Sequence, residues 1–392
     1  MVPVNYAGLQ LRNPVIVASA TPSINVEAIK RAADAGAGAV VTKSMIFPDP
    51  VTGKPAGACH RPRFRVYNNP HGFDPVVFNR DGQFSFFRNA EVYPTPDEMG
   101  RMLEELKGPH GVDIPVIVSI CGRPDDYEQW RKLARMAEDM GADAIEINMH
   151  AVPKVYTFDP LFVSVPKSEV KIPVISKMMS LSDDPTLAAK KAEAAGADAI
   201  AALGTFQGPG VEGLEIDAAN ERPLMGYHGL GGSWLRPVGL RYLSKVAQGT
   251  SLPLSGVTGI QTGEDAIKYM LVGATTVQIC GAIYAKGYKV LTEVSDGIDN
   301  WMAEHGYKTI EEFRGKALEK LDDPEWTESD PPVRAVVNQD KCIGCGVCKD
   351  SCMYSALSFE NKKAHISEGC DGCGVCWSMC PSKAITMERY ER

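Results

Sequence analysis

A repeating glycine signal constrains this chain more than any other feature of it. The pairs Gly36-Ala37, Gly141-Ala142, Gly196-Ala197 and Gly273-Ala274 each open a short apolar run. Each pair also follows an alanine-rich or amphipathic stretch, where glycine can close a helix in the left-handed conformation before a strand begins. Four further apolar runs open on proline, at Pro14, Pro115, Pro173 and Pro253. Short apolar runs without alternation mark strands buried on both faces. Interleaved, the two sets predict eight strands, with helices between them over residues 26–35, 125–140, 185–195 and 264–271. Eight strand–helix units over about 300 residues describe an α/β fold of the (β/α)8, or TIM, barrel type. An open doubly wound sheet is the rival, and the fourfold alternation favours closure.

Two connections are too long to be mere turns: residues 44–94 after the second strand and 204–236 after the sixth. Both leave the carboxyl ends of strands, where barrel enzymes place their sites. The first carries Cys59, His60, Arg61, Arg63, His71 and Asn89; the second is rich in glycine, with Gly229, Gly231 and Gly232. A last helix near residues 301–305 is expected to end the barrel domain, 1–310. Residues 311–332 hold eight acidic and three basic side chains and finish in Pro331-Pro332. That composition reads as a solvated acidic linker, with room for a short helix over residues 310–321.

The remainder, 333–392, is organised by cysteine. Cys342, Cys345, Cys348 and Cys352 form one C-x2-C-x2-C-x3-C run; Cys370, Cys373, Cys376 and Cys380 repeat it, followed by Pro381. This is the spacing of a bacterial-type ferredoxin with two 4Fe–4S clusters, in which the fourth cysteine of each run serves the other cluster. On that crossed pattern Cys342, Cys345, Cys348 and Cys380 hold one cluster, and Cys370, Cys373, Cys376 and Cys352 the second. Met353 stands where proline would follow Cys352, and no ligand is lost. Structural zinc rarely uses two triplets at this spacing, and disulfides would need an oxidising compartment. A small α+β domain is expected, its strands paired through Val336, Val337, Ala364, Ile366, Ile385 and Met387.

Composition removes several partners. A formal charge of −8 with no basic stripe argues against nucleic acid. No apolar run is long enough to span a bilayer, and the first ten residues lack a signal-peptide pattern. Cys59, Cys121 and Cys280 lie outside the cluster runs and are too scattered for a disulfide framework. A cytoplasmic protein suited to low oxygen is expected.

A barrel joined to clusters needs a centre that trades electron pairs for single electrons, and flavin does this. Barrel flavoenzymes seat the FMN phosphate on backbone N–H groups after strands seven and eight. Here those loops read Ser255-Gly256-Val257-Thr258-Gly259-Ile260 and Cys280-Gly281, although such glycines can equally serve turns. Longer motifs make the comparison specific. Asn13-Pro14-Val15-Ile16-Val17-Ala18-Ser19-Ala20, Val41-Thr42-Lys43-Ser44, residues 85–91 with Asn89, Lys177, and His228-Gly229-Leu230-Gly231-Gly232 all stand in order along the chain. In these the barrel resembles the class 1 dihydroorotate dehydrogenases, and barrel plus clusters resembles the C-terminal part of dihydropyrimidine dehydrogenase. The resemblance implies FMN held by Ala18, Ser19, Lys43, Ser44, Asn89, Asn148, Lys177, Gly231, Gly232, Gly259 and Gly281. It also implies a substrate read by Asn89, Asn148 and Thr205.

Departures from the family fall at the substrate. The acid/base cysteine after strand four falls on Ala151, within Asn148-Met149-His150-Ala151-Val152, and the second substrate asparagine falls on Gly204. A site that loses the partners of a ring's polar groups loses its discrimination for that ring. His150 is the leading candidate for proton transfer and Tyr156 the second; Cys121 and the Cys59-His60 pair are weaker ones, and Arg61 and Arg63 could pair with a substrate carboxylate. The expected activity is that of an oxidoreductase acting on a C–C bond beside a carbonyl, with electrons passing through the clusters. The alternatives are a dihydropyrimidine or dihydroorotate dehydrogenase with a relocated acid/base, and an electron-relay subunit that turns over no small molecule. No Gly-x-Gly-x-x-Gly dinucleotide fingerprint is expected to follow a strand, so the chain is not expected to bind NAD(P)H itself. The expected partner is an external ferredoxin or an NAD(P)H-oxidising flavoprotein subunit, in a homodimer or a hetero-oligomer.

Overall fold

In this computed structural model the described residues are 2–48, 64–67, 85–88, 93–149, 157–179, 184–204, 206–209, 216–217, 222–223, 227–321 and 333–390. The chain divides into two compact units, Met1–Leu318 and Glu319–Arg392.

The first unit opens on a hairpin, β1 (Val4–Tyr6) and β2 (Leu9–Leu11), before β3 (Val15–Val17), α1 (Val26–Asp34) and β4 (Ala39–Val41). The long connection after β4 carries β5 (Phe64–Tyr67) and β6 (Ser85–Arg88) and leads into α2 (Pro96–Leu106). Regular alternation resumes with β7 (Val116–Ile120), α3 (Tyr127–Asp139), β8 (Ala144–Asn148), α4 (Leu161–Glu169), β9 (Val174–Lys177), α5 (Pro185–Ala194) and β10 (Ala199–Ala202). The second excursion holds β11 (Phe206–Pro209), β12 (Ile216–Asp217), β13 (Arg222–Pro223) and β14 (Tyr227–Gly232). Then come α6 (Arg236–Ala247), β15 (Leu254–Val257), α7 (Gly263–Leu271), β16 (Thr276–Ile279), α8 (Gly281–Lys286) and α9 (Val290–His305).

Among the described residues, β3, β4, β7, β8, β9, β10, β15 and β16 pair in parallel in chain order, and β16 pairs back to β3. The expected eight-stranded closed barrel is therefore the fold. Its strands are buried throughout apart from Val257 at the end of β15. The helices begin where side chains can take up orphan N–H groups: Asn25 accepts from Ala28, Thr95 and Glu98 form a capping box, and Thr262 accepts from Asp265. They end where the sequence places glycine. Gly36, Gly141, Gly196 and Gly273 all have φ between +86° and +111°, the conformation that turns a helix into the next strand. Fully buried Tyr6 of the opening hairpin donates its hydroxyl to the carbonyl of Ile200 at 3.3 Å.

The two long excursions meet. β5, β6, β14 and β11 form one antiparallel sheet outside the barrel, with Gly231 opposite Phe86 and Gly232 opposite Ser85. The spacing Gly208, Gly210, Gly213 does occur after the sixth barrel strand, contrary to the expectation that no such fingerprint follows a strand. Gly208 stands in β11, which pairs antiparallel with β14 and belongs to no strand–helix–strand unit; Gly210 and Gly213 lie outside the described residues.

One boundary needs correction. The barrel unit does not stop at residue 310: Ile310 and Phe313 are buried, and Phe313 packs 5.1 Å from both Trp301 and Tyr307. Gly315 and Ala317 donate backbone N–H groups to Met270 and Leu271, so the chain stays on the barrel to Leu318. The helix expected over residues 310–321 is instead two 3-10 turns, Ile310–Glu312 and Leu318–Lys320.

The second unit has β17 (Val333–Val337), β18 (Leu357–Glu360), β19 (Lys363–Ile366), α10 (Val375–Met379) and β20 (Ile385–Arg389). β17 pairs with β20 and β18 with β19, each antiparallel. Among the described residues, no helix is long and apolar enough to cross a membrane.

The α7–α9 crossing tests the packing. A Cβ on Gly263 would lie 2.5 Å from the backbone of Gly297. Gly263→Ala should cost about 1–3 kcal/mol in denaturant unfolding, because neither helix backbone can yield cheaply.

Candidate active site

A cleft opens at the carboxyl ends of the barrel strands. Ala18, Ser19 and Ala20 line it after β3, Lys177 ends β9, and Leu203 and Gly204 follow β10. Gly231 and Gly232 come from β14, and the turns after β15 and β16 supply Val257 to Gln261 and Gln278 to Ala282. About 730 Å³ of non-atom space, the open mouth included, lies within it. Seven of the expected flavin-contacting residues, Ala18, Ser19, Lys177, Gly231, Gly232, Gly259 and Gly281, are thus brought to one wall.

Its floor is charged. Lys177 Nζ donates to Glu146 Oε1 and to Gln278 Oε1, both at 2.9 Å, and Gln278 Nε2 donates to Glu146 Oε2 at 2.7 Å. All three side chains are buried. Burial first, and the Glu146 carboxylate second, hold the nearby Tyr6 phenol well above its ordinary range. A rule that seeks apolar runs passes over Glu146 and Gln278; a carboxylate inside a strand buried on both faces is the signal that finds them.

Lys43, Ser44 and Asn148 do not line the cleft and form a second polar group at the same end of the barrel. Asn148 Nδ2 donates to Ser44 Oγ at 2.6 Å, and Ser44 shares a hydrogen bond of 2.8 Å with Ser119. Asn148 is in register with Lys177 across β8 and β9. The ammonium of Lys43 lies 4.4 Å from the centre of the Tyr93 ring. Burial pushes the Cys121 thiol up to about 12, against the lowering charge of Lys43. A buried thiol raised in this way stays protonated near neutral pH, which disfavours Cys121 as a nucleophile. Asn89, His150, Tyr156 and Thr205 lie outside the described residues, as do Cys59, His60, Arg61, Arg63 and Ala151.

The turn after β15 is held by packing. Tyr269 donates its hydroxyl to the Thr258 carbonyl at 2.6 Å, and a Cβ on Gly256 would lie 2.5 Å from the same ring. Gly259 has φ +76°, and its Cβ would meet the Arg236 backbone N at 2.8 Å. These two glycines are required by the turn itself, whatever binds above it. The polar atoms give a separate indication. Ser19 Oγ and Gln261 Nε2 line the cleft, and Asn148 Oδ1 lies beside it; all three are buried without a hydrogen-bond partner among the described residues. Buried polar atoms are nearly always paired, so three orphans here suit a polar ligand such as a flavin nucleotide.

In the second unit the cysteines sort into two sets. Cys342, Cys345, Cys348 and Cys380 line one cavity; Cys352, Cys370, Cys373 and Cys376 line another. Cys380 Sγ accepts the Ala384 N–H at 3.2 Å and Cys370 Sγ that of Ala335 at 3.5 Å. Among the described residues, no three His, Cys, Asp or Glu side chains converge on a single ion-sized point. The thiols ring their cavities instead.

Comparison with known proteins agrees with this geometry. Residues 1–302 match the family described as Dihydroorotate dehydrogenase. The chain belongs to that family. Residues 335–387 match a 4Fe-4S dicluster domain. The NAD-dependent dihydropyrimidine dehydrogenase subunit PreA of Escherichia coli K12 is 28% identical over 370 residues, covering 89% of this chain and 84% of its own. The catalytic subunit of dihydroorotate dehydrogenase B (NAD(+)) from Thermococcus kodakarensis is 33% identical, covering 81% of this chain and 98% of its own. Its counterpart from Pyrococcus abyssi is 31% identical, with coverage of 81% and 99%. The chain is thus a member of an FMN dehydrogenase family that carries an iron–sulfur domain.

Two outcomes check this site. Tyr269→Phe leaves the Thr258 carbonyl unpaired and should cost about 1–3 kcal/mol of stability with weaker FMN binding, read by denaturant unfolding and flavin fluorescence. Cys121 should resist alkylation in the folded protein up to about pH 9, where a thiol raised this far is still protonated, and react once the chain is unfolded.

Proposed function

We propose that this protein is an FMN- and iron–sulfur-dependent oxidoreductase acting on a C–C bond beside a carbonyl, with electrons exchanged through two 4Fe–4S clusters. The observation that carries the reading is the sorting of eight cysteines into two cavities of four, in a chain whose barrel holds a cleft with orphan polar atoms. Four thiols around each cavity suit a cubic cluster, and the crossed sets are those of the dicluster spacing.

FMN, when bound, supplies hydride transfer and passes electrons on singly. The chain's own residues do the rest. Lys177 offers a fixed positive charge at the cleft floor, Ser19 and Gln261 offer unspent polar atoms, and the turns after β15 and β16 offer backbone N–H groups to a phosphate. Lys43, Ser44 and Asn148, from the adjacent strands, would complete the flavin's surroundings, with Gly231 and Gly232 covering it from β14. Asn89, Asn148 and Thr205 would orient the substrate. His150 would hold and deliver the proton to the carbon next to the one receiving hydride, because imidazole can work in either direction near neutral pH. Tyr156 is the second candidate for that role.

Ala151 and Gly204 favour a substrate other than a pyrimidine. Gly204 lines the cleft with its own N–H already given to the Met178 carbonyl at 2.7 Å, so it offers space where a side chain could have read a ring. The second reading is a dihydropyrimidine or dihydroorotate dehydrogenase whose acid/base has moved to His150, and the names of the relatives favour it. One relative is named a subunit and others catalytic subunits, which supports a separate NAD(P)H-oxidising flavoprotein or a ferredoxin as electron partner.

The protein prepared without oxygen should contain about one FMN and eight iron atoms per chain. Reduced protein mixed with uracil, thymine, orotate and unrelated enones or unsaturated carboxylates should be reoxidised by one of the non-pyrimidines. Reoxidation by uracil, thymine or orotate would establish the second reading, and bound flavin that answers to none would point to an electron relay. His150→Ala should slow substrate-dependent reoxidation by about 100-fold with flavin and iron content unchanged. An unaltered rate would transfer the role to Tyr156.

A further inference from the structure

The reading above gives Lys177 a task and leaves Glu146 none. Yet Glu146 is fully buried in β8, where an unpaired carboxylate would be very costly. Both its oxygens are taken, one by Lys177 and one by Gln278, and Lys177 also donates to Gln278. The result is a closed ring of three hydrogen bonds joining β8, β9 and β16. An ammonium carries three N–H bonds, and the ring uses two of them. Lys177 and Gln278 line the cleft while Glu146 does not, so the carboxylate is set back from it, and among the described residues the third N–H has no acceptor. Lysine on its own is a point charge on a flexible four-carbon stem. Two tethers at 2.9 Å from different strands remove that freedom.

We infer that Glu146 is a positioning residue, which fixes the Lys177 ammonium at the cleft floor and supplies the counter-charge that limits how strongly it favours the reduced flavin. The inference rests on the FMN reading. Reduction adds negative charge to the ring system, so a nearby cation raises the midpoint potential and a carboxylate behind that cation lowers it again. Gln278 holds the two charged groups at a fixed separation without adding charge. Tyr6, which feels the carboxylate's charge, is held as a neutral phenol by burial.

Three variants of the full chain test it, prepared without oxygen: Glu146→Gln, which keeps shape and removes charge, Lys177→Gln, and the double variant. The midpoint potential of bound FMN should rise in Glu146→Gln, fall in Lys177→Gln, and lie between them in the double. Thermal melts of the flavin-free proteins should show each single variant losing stability and the double losing less than their sum. A potential unchanged in Glu146→Gln, or shifted the same way as in Lys177→Gln, would overturn the proposal. If Glu146→Gln does not fold, Glu146→Asp keeps the charge and shortens the tether. It should bind FMN several-fold more weakly at near wild-type potential, and unaltered binding would refute the positioning role. Wild-type protein that binds no FMN defeats the functional reading instead, and the melts still report whether the ring couples Glu146 to Lys177.

Discussion

A barrel closed by eight buried parallel strands has no water inside to solvate a charge, so any ion placed there must be answered by another. The ring of Glu146, Lys177 and Gln278 meets that requirement at the centre of this molecule. Removing one member of such a pair costs about 3–5 kcal/mol, because the survivor is left charged and dry. Apolar side chains of similar volume would fill the same space at no such risk. A charge pair is therefore weak evidence of stability and better evidence of a task, and the task lies next to it, in the cleft that Lys177 and Gln278 line.

The rest of the site follows from what the barrel leaves at its carboxyl ends. Strand β15 ends in a turn held from behind, by Tyr269 on the Thr258 carbonyl and by Asp265, which pairs with Arg236 at 2.8 Å and accepts the Gln261 N–H at 3.0 Å. Opposite them, the two long excursions are not independent loops. Because β6 pairs with β14, the first excursion and the glycines that line the cleft belong to one sheet. Backbone pairing of this kind fixes register without side-chain contacts, so a glycine-rich strand can lie flat over a flat ligand and still keep its place.

Much of this was legible in the sequence, for identifiable reasons. The eight barrel strands announce themselves because parallel strands buried on both faces need uninterrupted apolar runs, and the helix ends announce themselves through glycines at positive φ. The two cysteine sets are legible because ligand spacing is local. The charge ring is not, since its members lie 31, 101 and 132 residues apart and meet only when the barrel closes. The Tyr269 prop is hidden for the same reason, and without it Gly256 and Gly259 read equally well as a phosphate cradle or as turns. The boundary at 310 was misplaced because acidic composition dominates residues 311–332. Buried Ile310 and Phe313, with the backbone hydrogen bonds of Gly315 and Ala317, keep the chain on the barrel as far as Leu318.

The contrast between the positions expected to hold flavin and those expected to read substrate bears on what the site can discriminate. Among the groups expected to surround the flavin, polar atoms are held by neighbours that are themselves held: Asn148 by Ser44, Ser44 by Ser119, and Lys177 by Glu146 and Gln278. Among the positions expected to read substrate, Gly204 brings no side chain, and Ala151, outside the described residues, has only a methyl group, where the family places an asparagine and a cysteine. A site can lose ring-reading groups and keep its redox chemistry, because hydride transfer depends on the cofactor and its charge environment rather than on every contact to the ring. The reverse does not hold: a scaffold that only relayed electrons would gain nothing from a buried charge ring and orphan polar atoms at the cleft. That asymmetry favours an enzyme with an altered substrate over a relay that has lost one.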